Sequence, residues 1–431
     1  MKQRRDNEKC GMGCALLVLA LFSSLSHAEE INYADLPLSA QIDNALNNHL
    51  LVRNATNELN IERTNQRKWN SGNYEFNVRA GTGQRSVTST GEKLKEWDVG
   101  VERPLRWLNK VGIDEDIGAA SVARAEYALG DARHEAGRTL LQMWFTWQRE
   151  QAQVTLWQQQ ADILKRQAQL VEKRVKAGDA PKLELNLALA ASAQASVPLH
   201  QAQLRTQLAS NALKKQFPAI QLPEQVLLAM PQMIDHDLAY WKAIVLEHNH
   251  ELGVVQQQNL VQQLLVQRSR ADQLPDPTVG VRYAKEASGN EKVAGVYVSV
   301  PLPSVSRRAT ADSAIQQAAI AADQEAFAKR RLEGEIYATH TQAVSNYSTW
   351  QQAHEAAQAI RSNAELTAKA YSLGENSLLD NLTARRFALE SSLAESLAQL
   401  DANEARYRLL LDAHQLWSLG NDADEHHANH Y

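Results

Sequence analysis

The sequence predicts a mainly α protein with a small β part, built twice along one chain, and three observations predict it. A glycine turn, Arg174-Val-Lys-Ala-Gly178-Asp-Ala-Pro-Lys-Leu-Glu184, reappears as Ala370-Tyr-Ser-Leu-Gly374-Glu-Asn-Ser-Leu-Leu379-Asp380. Two segments switch from helical periodicity to strict alternation, and both exit at Pro-Leu, once at Pro104-Leu105 and once at Pro301-Leu302. The offsets are 374 − 178 = 196 and 301 − 104 = 197, so one register covers both landmarks. Such a period far exceeds the ~20–50 residues of solenoid repeats and marks a duplicated subdomain.

Residues 1–28 read as a signal peptide. Lys2, Arg4, Arg5 and Lys9 precede the apolar run Ala15–Phe22, and Ser26-His27-Ala28 supplies small residues at positions −3 and −1 of a cleavage site. Cys14 begins the apolar run, whereas a lipobox cysteine ends one. Cys10 and Cys14 both lie in this segment, so the remaining chain has no disulfide and no thiolate ligand. The segment carries four cations against Asp6 and Glu8, and removing it takes the net charge from −5 to −7. That balance gives no basic patch for nucleic acid. Beyond residue 28 no apolar stretch reaches the ~20 residues of a transmembrane helix, which leaves periplasmic, secreted and outer-membrane β-barrel destinations.

The first repeat is assigned to 29–222. It opens with an amphipathic helix near 38–70, with Ile42, Ala45, Leu46, Leu50 and Val52 on one stripe. A β-hairpin follows over ~73–103: Tyr74, Phe76, Val78 and Ala80 alternate with Glu75, Asn77 and Arg79. A loop spans Gly81–Gly91, and Trp97, Val99 and Val101 alternate with Asp98, Gly100 and Glu102. A helical hairpin is expected over ~112–216. Its first arm is proline-free and rich in strong helix formers; ~60 such residues make a rod of ~90 Å. Leu183, Leu187, Ala190 and Ala191 show the spacing of a packed coiled coil.

The second repeat, 223–418, has the same order after the proline-containing linker from Phe217 to Pro231. A helix leads to a hairpin over ~277–302, with Val279, Val281 and Tyr283, a loop at Ala287–Asn290, then Val296, Val298 and Val300. A helical hairpin over ~309–418 carries the seam Leu389, Leu393, Leu397 and Leu400. Residues 419–431 form an acidic, His-containing tail.

Strands of ~10 residues suffice to cross a bilayer when tilted. A soluble hairpin with one wet face would alternate in the same way, although isolated hairpins are marginal in water. Four strands cannot close a barrel, so further copies must supply the rest; three would give twelve. Tyr74, Trp97, Trp107 and Tyr283 fit an interfacial aromatic girdle.

Enzyme signatures are missing: HExxH, GxSxG, a Walker loop and CxxC do not occur, and Gly81-Thr-Gly83 lacks a third glycine. No catalytic, cofactor or metal site is expected. His248 and His250 are two apart and on one helix would face different ways; the tail histidines His426, His427 and His430 could hold a divalent ion loosely, with a disordered acidic end as the plainer reading.

With these residues in place, the chain resembles the TolC-like outer-membrane efflux proteins over essentially all of the sequence after residue 28. Ala370-Tyr-Ser-Leu-Gly374 to Asp380 is similar to the family's Tyr-x-x-Gly-x-x-x-hydrophobic-x-Asp turn; in the first repeat, Pro181 and Glu184 depart from it. Asp276-Pro-Thr-Val-Gly-Val-Arg-Tyr283 and Gly295-Val-Tyr-Val-Ser-Val-Pro301-Leu-Pro303 most resemble the outer-membrane component of cobalt–zinc–cadmium-type heavy-metal efflux systems. Ser304-Val-Ser-Arg307-Arg308 departs from that branch's usual continuation.

The resemblance implies a homotrimer in outer-membrane lipid, with a twelve-stranded barrel and a periplasmic α-helical tunnel. It also implies a periplasmic adaptor and an inner-membrane pump of the resistance-nodulation-division type. Arg174, Gly178, Gly374 and Leu379 would lie at the tips where the adaptor docks. Asp380, with Glu184 and Glu375 nearby, would constrict the entrance; for Asp380 a helix-terminal charge role is the plain alternative. Pro104 and Pro301 would be strand-to-helix elbows, and Glu75, Asn77, Arg79, Asp98 and Glu102 would face the lumen. A drug-efflux or type I secretion channel of the same fold remains open, as does a periplasmic coiled-coil scaffold without a pore.

Overall fold

The computed structural model describes residues 33–72 and 74–417; the signal segment and the 419–431 tail lie outside the described residues. The chain is mainly helical, with one small antiparallel sheet. Each repeat contributes a broken helix, a hairpin and two rods. In the first these are α1 (Ser39–Asn47), α2 (Leu50–Ser71), β1 (Asn77–Ser86), β2 (Lys93–Pro104), α3 (Leu108–Lys176) and α4 (Lys182–Gln216). In the second they are α5 (Leu238–Glu247), α6 (His250–Ala271), β3 (Thr278–Glu286), β4 (Glu291–Ser299), α7 (Val305–Ser372) and α8 (Leu378–Asp412).

The single helix expected near 38–70 is two helices. Asn48 ends α1, with its side-chain amide donating to the Asn44 carbonyl at 2.9 Å, and His49 is extended and stacks on Phe217 at 5.0 Å. The second repeat breaks at the same place, between α5 and α6, where Asn249 accepts from the Leu252 amide at 2.8 Å as an N-cap.

At 69 and 68 residues, α3 and α7 are each about 100 Å long. They run the length of the helical part, and the shorter helices fill the two halves beside them. Towards the sheet the rods lie in the order α2, α3, α6, α7; towards the far end, α4, α3, α8, α7. On α7, Ala314, Ala321 and Ala328, then Ala343, Ala357 and Ala364, are buried. The seven-residue step is that of a coiled-coil seam, and the small side chains let α8 and α6 approach closely. On α8, Leu389 and Leu400 are buried as the sequence predicts. On α4 the prediction fails: Leu183 and Leu187 are exposed, and the buried stripe is instead Ala188, Ala195, Leu199 and Ala202.

Midway along the rods a belt gathers around α3. Leu140, Leu141, Trp144 and Phe145 pack against Phe217, Trp241, Leu409 and Leu411 in the largest apolar cluster. Asp35 anchors the start of the described chain there. Its carboxylate accepts from the Tyr407 hydroxyl at 2.7 Å, and its carbonyl accepts from Trp144 Nε1 and Gln148 Nε2, both at 2.8 Å. Burial pushes the Asp35 carboxyl above its ordinary range, against the opposing pull of the Tyr407 hydrogen bond. The linker crosses this belt in extended form, its Ala229 carbonyl held by Asn403 at 2.8 Å.

The sheet order is β1-β2-β3-β4, antiparallel throughout. In register, Val78 opposes Val101, Val101 opposes Val281 and Val281 opposes Val296, so one face carries a continuous apolar row. The opposite face brings Arg79, Gly100, Arg282 and Gly295 into line. Tyr74, Glu75 and Phe76 precede β1, and Gly81 and Gly83, expected in the loop, lie within it; the turn is confined to residues 87–92. No helix among the described residues is long and apolar enough to cross a membrane.

Candidate functional sites

At the far end of the rods the two repeats build the same turn. After α3, Gly178 has φ +80°, its amide donates to the Val175 carbonyl at 3.1 Å, and the Asp179 amide donates to the Arg174 carbonyl at 2.8 Å. After α7, Gly374 has φ +77°, with Gly374 to Tyr371 at 3.1 Å and Glu375 to Ala370 at 3.0 Å. These are paired Schellman caps, and glycine is needed because its φ is in the left-handed region.

Arg174 joins the two tips. Its guanidinium donates to the Asp179 carboxylate at 3.0 Å and to the Tyr371 hydroxyl of the other repeat at 3.2 Å, and lies 3.9 Å from Glu184. Beneath it Leu378 packs with Ala168, Val171 and Ala188, whereas the neighbouring Leu379 is 59% exposed.

Glu184 and Asp380 occupy the same position, third in their helices after Pro181 and Ser377. Ser377 Oγ accepts from the Asp380 amide at 3.1 Å and donates to its carboxylate at 2.6 Å, a capping arrangement that places Asp380 at the positive end of α8. Pro181 offers no side-chain cap, so α4 lacks that support. Glu375 stands exposed beside the second turn, and the tip thus gathers Arg174, Gly178, Glu184, Gly374, Glu375, Leu379 and Asp380.

At the other end, rods and sheet join through a buried charge network. Lys110 in the first turn of α3 is 1% exposed, and its ammonium donates to the Leu274 carbonyl and Asp276 at 2.9 Å and to Asp272 at 3.0 Å. Arg106 donates to the last carbonyls of α2, Trp69 at 3.0 Å and Asn70 at 2.8 Å, and to Asp114 at 2.8 Å. Arg268 pairs with both Asp114 and Asp272.

Asp276 also accepts from the Tyr74 hydroxyl at 2.9 Å, and Trp107 Nε1 donates to the Pro275 carbonyl at 2.9 Å. Tyr74 and Trp107, predicted as girdle aromatics, are therefore elbow residues: each ring's polar tip is tied to the 275–276 turn. Trp97 and Tyr283 do meet on the apolar face of the sheet, centroids 5.9 Å apart. Pro104 is the last residue of β2, and the next amide, Leu105, donates to Pro277 at 2.7 Å. Pro301 stands two residues past β4, so only the first elbow proline closes a ladder.

On the polar face, Asp98 lies 3.6 Å from Arg282 and Glu102 accepts from the Tyr297 hydroxyl at 2.5 Å. Asn77 and Arg79 share that face; Glu75 lies before the strand. Both long edges of the sheet, β1 and β4, pair with no other strand among the described residues.

A single helix through His248 and His250, which the spacing argument assumes, is not what forms: His248 ends α5 and His250 opens α6. The break lets His250 meet His134 and His414, three residues too far apart in sequence for any spacing rule to join them.

No protein-family model and no curated protein sequence matches the chain. Solved structures do. The CmeC outer membrane channel of Campylobacter jejuni superposes with a TM-score of 0.71 at 16% identity, covering 90% of this chain and 88% of that one. The outer membrane protein VceC of Vibrio cholerae gives 0.71 at 16% identity, with coverage of 88% and 99%. CusC, described for its transmembrane channel formation, gives 0.67 at 15% identity, covering 88% and 92%. The chain has the fold of these outer membrane channels.

Replacing Gly178 or Gly374 by alanine forces a β-carbon into the left-handed region and is expected to destabilise each tip by about 1 kcal/mol, lowering the melting temperature of the purified protein. Lys110→Ala leaves Asp272 and Asp276 without their ammonium, and a loss of about 3–5 kcal/mol is expected in the same melt. Burial pushes the Asp272 carboxyl up, but Arg268 and Lys110 outweigh it and hold it below its ordinary value. Its contribution is therefore present above the ordinary aspartate pKa of ~4 and is lost as pH falls below that value. Acid melts of Asp272→Asn should show a flatter pH dependence than wild type.

Proposed function

We propose that three copies of this chain form the outer-membrane exit duct of a tripartite efflux system, exporting divalent heavy-metal cations. The partners are a periplasmic adaptor and an inner-membrane pump of the resistance-nodulation-division type. The observation that carries the duct is the incompleteness of the protomer. A four-stranded sheet sorted into apolar and polar faces, with two unpaired edges, is satisfied by β4 of one copy pairing with β1 of the next. Three copies give twelve strands, of 9–12 residues each, an even number within the range of outer-membrane barrels.

The helical flank supports the same reading. Leu183, Leu187, Val197, Leu204 and Leu208 on α4 are exposed and fall on a heptad seam. α4 is an outermost rod in its half of the molecule, so a second copy is the natural cover. Twelve rods would then surround a water-filled passage below a barrel whose polar face looks inward.

In this reading no bond is made or broken. The pump supplies energy, the adaptor grips the tips around Arg174, Gly178, Gly374 and Leu379, and Asp380, Glu184 and Glu375 ring the entrance. Splaying α7 and α8 away from α3 would break the Arg174–Tyr371 contact. For the cargo, the support is the resemblance of segments 276–283 and 295–303 to metal-efflux exit components.

Cellular zinc, cobalt, cadmium, nickel and copper should be measured under metal challenge in a strain lacking the protein and in one carrying it back. Accumulation of one or more metals that reverses on return of the gene is expected; unchanged metals, with no second exit duct in the genome, would sink the cargo assignment. Leu379→Asp should assemble and melt like wild type yet fail to restore export.

A further inference from the structure

His134 in α3, His250 at the start of α6 and His414 just past α8 converge in the belt. Each offers a ring nitrogen, and these atoms all lie within 4.8 Å of one another. His134 Nε2 and His414 Nε2 are 2.7 Å apart, so one ring donates to the other. The His250 ring centroid is 5.3 Å from that of His134 and 5.0 Å from that of His414. His134 is only 5% exposed.

Two backbone choices favour the cluster at the expense of local stability. The end of α8 is a third Schellman cap, with Gln415 bonded to Leu410 at 2.8 Å and His414 to Leu411 at 3.1 Å. Where the tips have Gly178 and Gly374, this cap has His414, with φ +58°. A β-carbon is disfavoured there, so glycine would suit the turn better. In α3, a β-carbon on Gly130 would fall 2.6 Å from His250 Nδ1, so the helix gives up a side chain, and helix propensity with it, where the ring sits.

We propose that His134, His250 and His414 bind a borderline divalent transition metal, with zinc the reference ion and copper, nickel and cobalt close competitors. Three imidazoles are the nitrogen donor set that suits these ions, whereas calcium and magnesium want oxygen. Ligand nitrogens at ~2.0–2.1 Å from zinc sit roughly 3.3 Å apart in a tetrahedron, between the 2.7 Å of the His134–His414 pair and the 4.8 Å within which all three donors lie, so ring rotations that part the pair and draw in His250 would set the geometry. Ligation through both Nε2 atoms moves the donor ring's proton to its Nδ1; neutral imidazoles release no net proton. A fourth position is left for water.

The ion would clasp α3 of the first repeat to α6 and the end of α8 of the second. The site stands in the belt, away from both the tips and the polar face of the sheet. It is therefore a structural clasp and does not depend on what the duct exports.

The test uses the full-length protein in detergent, stripped with chelator, dialysed against zinc and assayed by elemental analysis and thermal melting. About one zinc per chain and a raised melting temperature are expected. His414→Gly should fold at least as well as wild type in zinc-free buffer, because glycine accepts the cap geometry, yet lose both the zinc and the zinc-dependent shift. His250→Ala should lose them too. Substoichiometric zinc in wild type, or undiminished zinc and shift in both variants, would overturn the site. So would zinc that leaves only when His426, His427 and His430 are replaced. These outcomes are separate from the metal-accumulation measurement: a drug or protein duct could carry the clasp, and a metal duct could lack it.

Discussion

The structure depends on one buried ammonium. Lys110 is fully enclosed, and its three donors meet two carboxylates and a carbonyl that all belong to the opposite repeat. A buried charge is tolerated only when paired and fully hydrogen-bonded. Satisfying Lys110 therefore fixes the start of α3 against the end of α6 and the turn into β3. Arg106, Arg268 and Asp114 extend the constraint to the last turn of α2. A sheet exposed on both faces cannot hold itself to the rods by apolar burial, so directional charge pairs set its position.

The two repeats share a backbone plan and divide the chemistry. Cations and carboxylates of this junction come from both repeats, but the two carboxylates that meet Lys110, Asp272 and Asp276, are both in the second, and the second elbow proline stands clear of its ladder. At the tips the division reverses: Arg174 belongs to the first repeat and reaches Tyr371 in the second. Each end of the molecule is thus a contact between unlike copies of a duplicated unit, which keeps the copies from being interchangeable.

Much of this was legible in the sequence, for a physical reason. Glycine in the left-handed region, proline at a strand end and strict alternation in a sheet are local requirements, so Gly178, Gly374, Pro104 and the Val281 stripe declare themselves. Partners across space do not. Leu183 and Leu187 have the spacing of a coiled-coil seam, but periodicity cannot say which face of a helix meets its own chain, and in the protomer they face outward. Tyr74 and Trp107 read as membrane-interface aromatics, because their hydrogen-bond partner at 275–276 is about 170–200 residues away. The His134, His250 and His414 cluster was invisible for the same reason, compounded by an unseen helix break at His248.

The two free edges of the sheet have a consequence in terms of symmetry. A β4-to-β1 contact is heterologous, joining unlike surfaces, and such a contact closes into a ring only if its rotation divides a full turn; otherwise it propagates as an open stack. Sheet twist alone fixes that rotation loosely, since adjacent strands vary by some tens of degrees. In the proposed trimer the exposed stripe on α4 would supply a second point of reference, towards the opposite end of the rods. Two contacts so widely separated define the angle between neighbours far more tightly than either could. In that trimer the length of α3 would act as a lever arm, and it would set the precision with which copies of this chain count themselves.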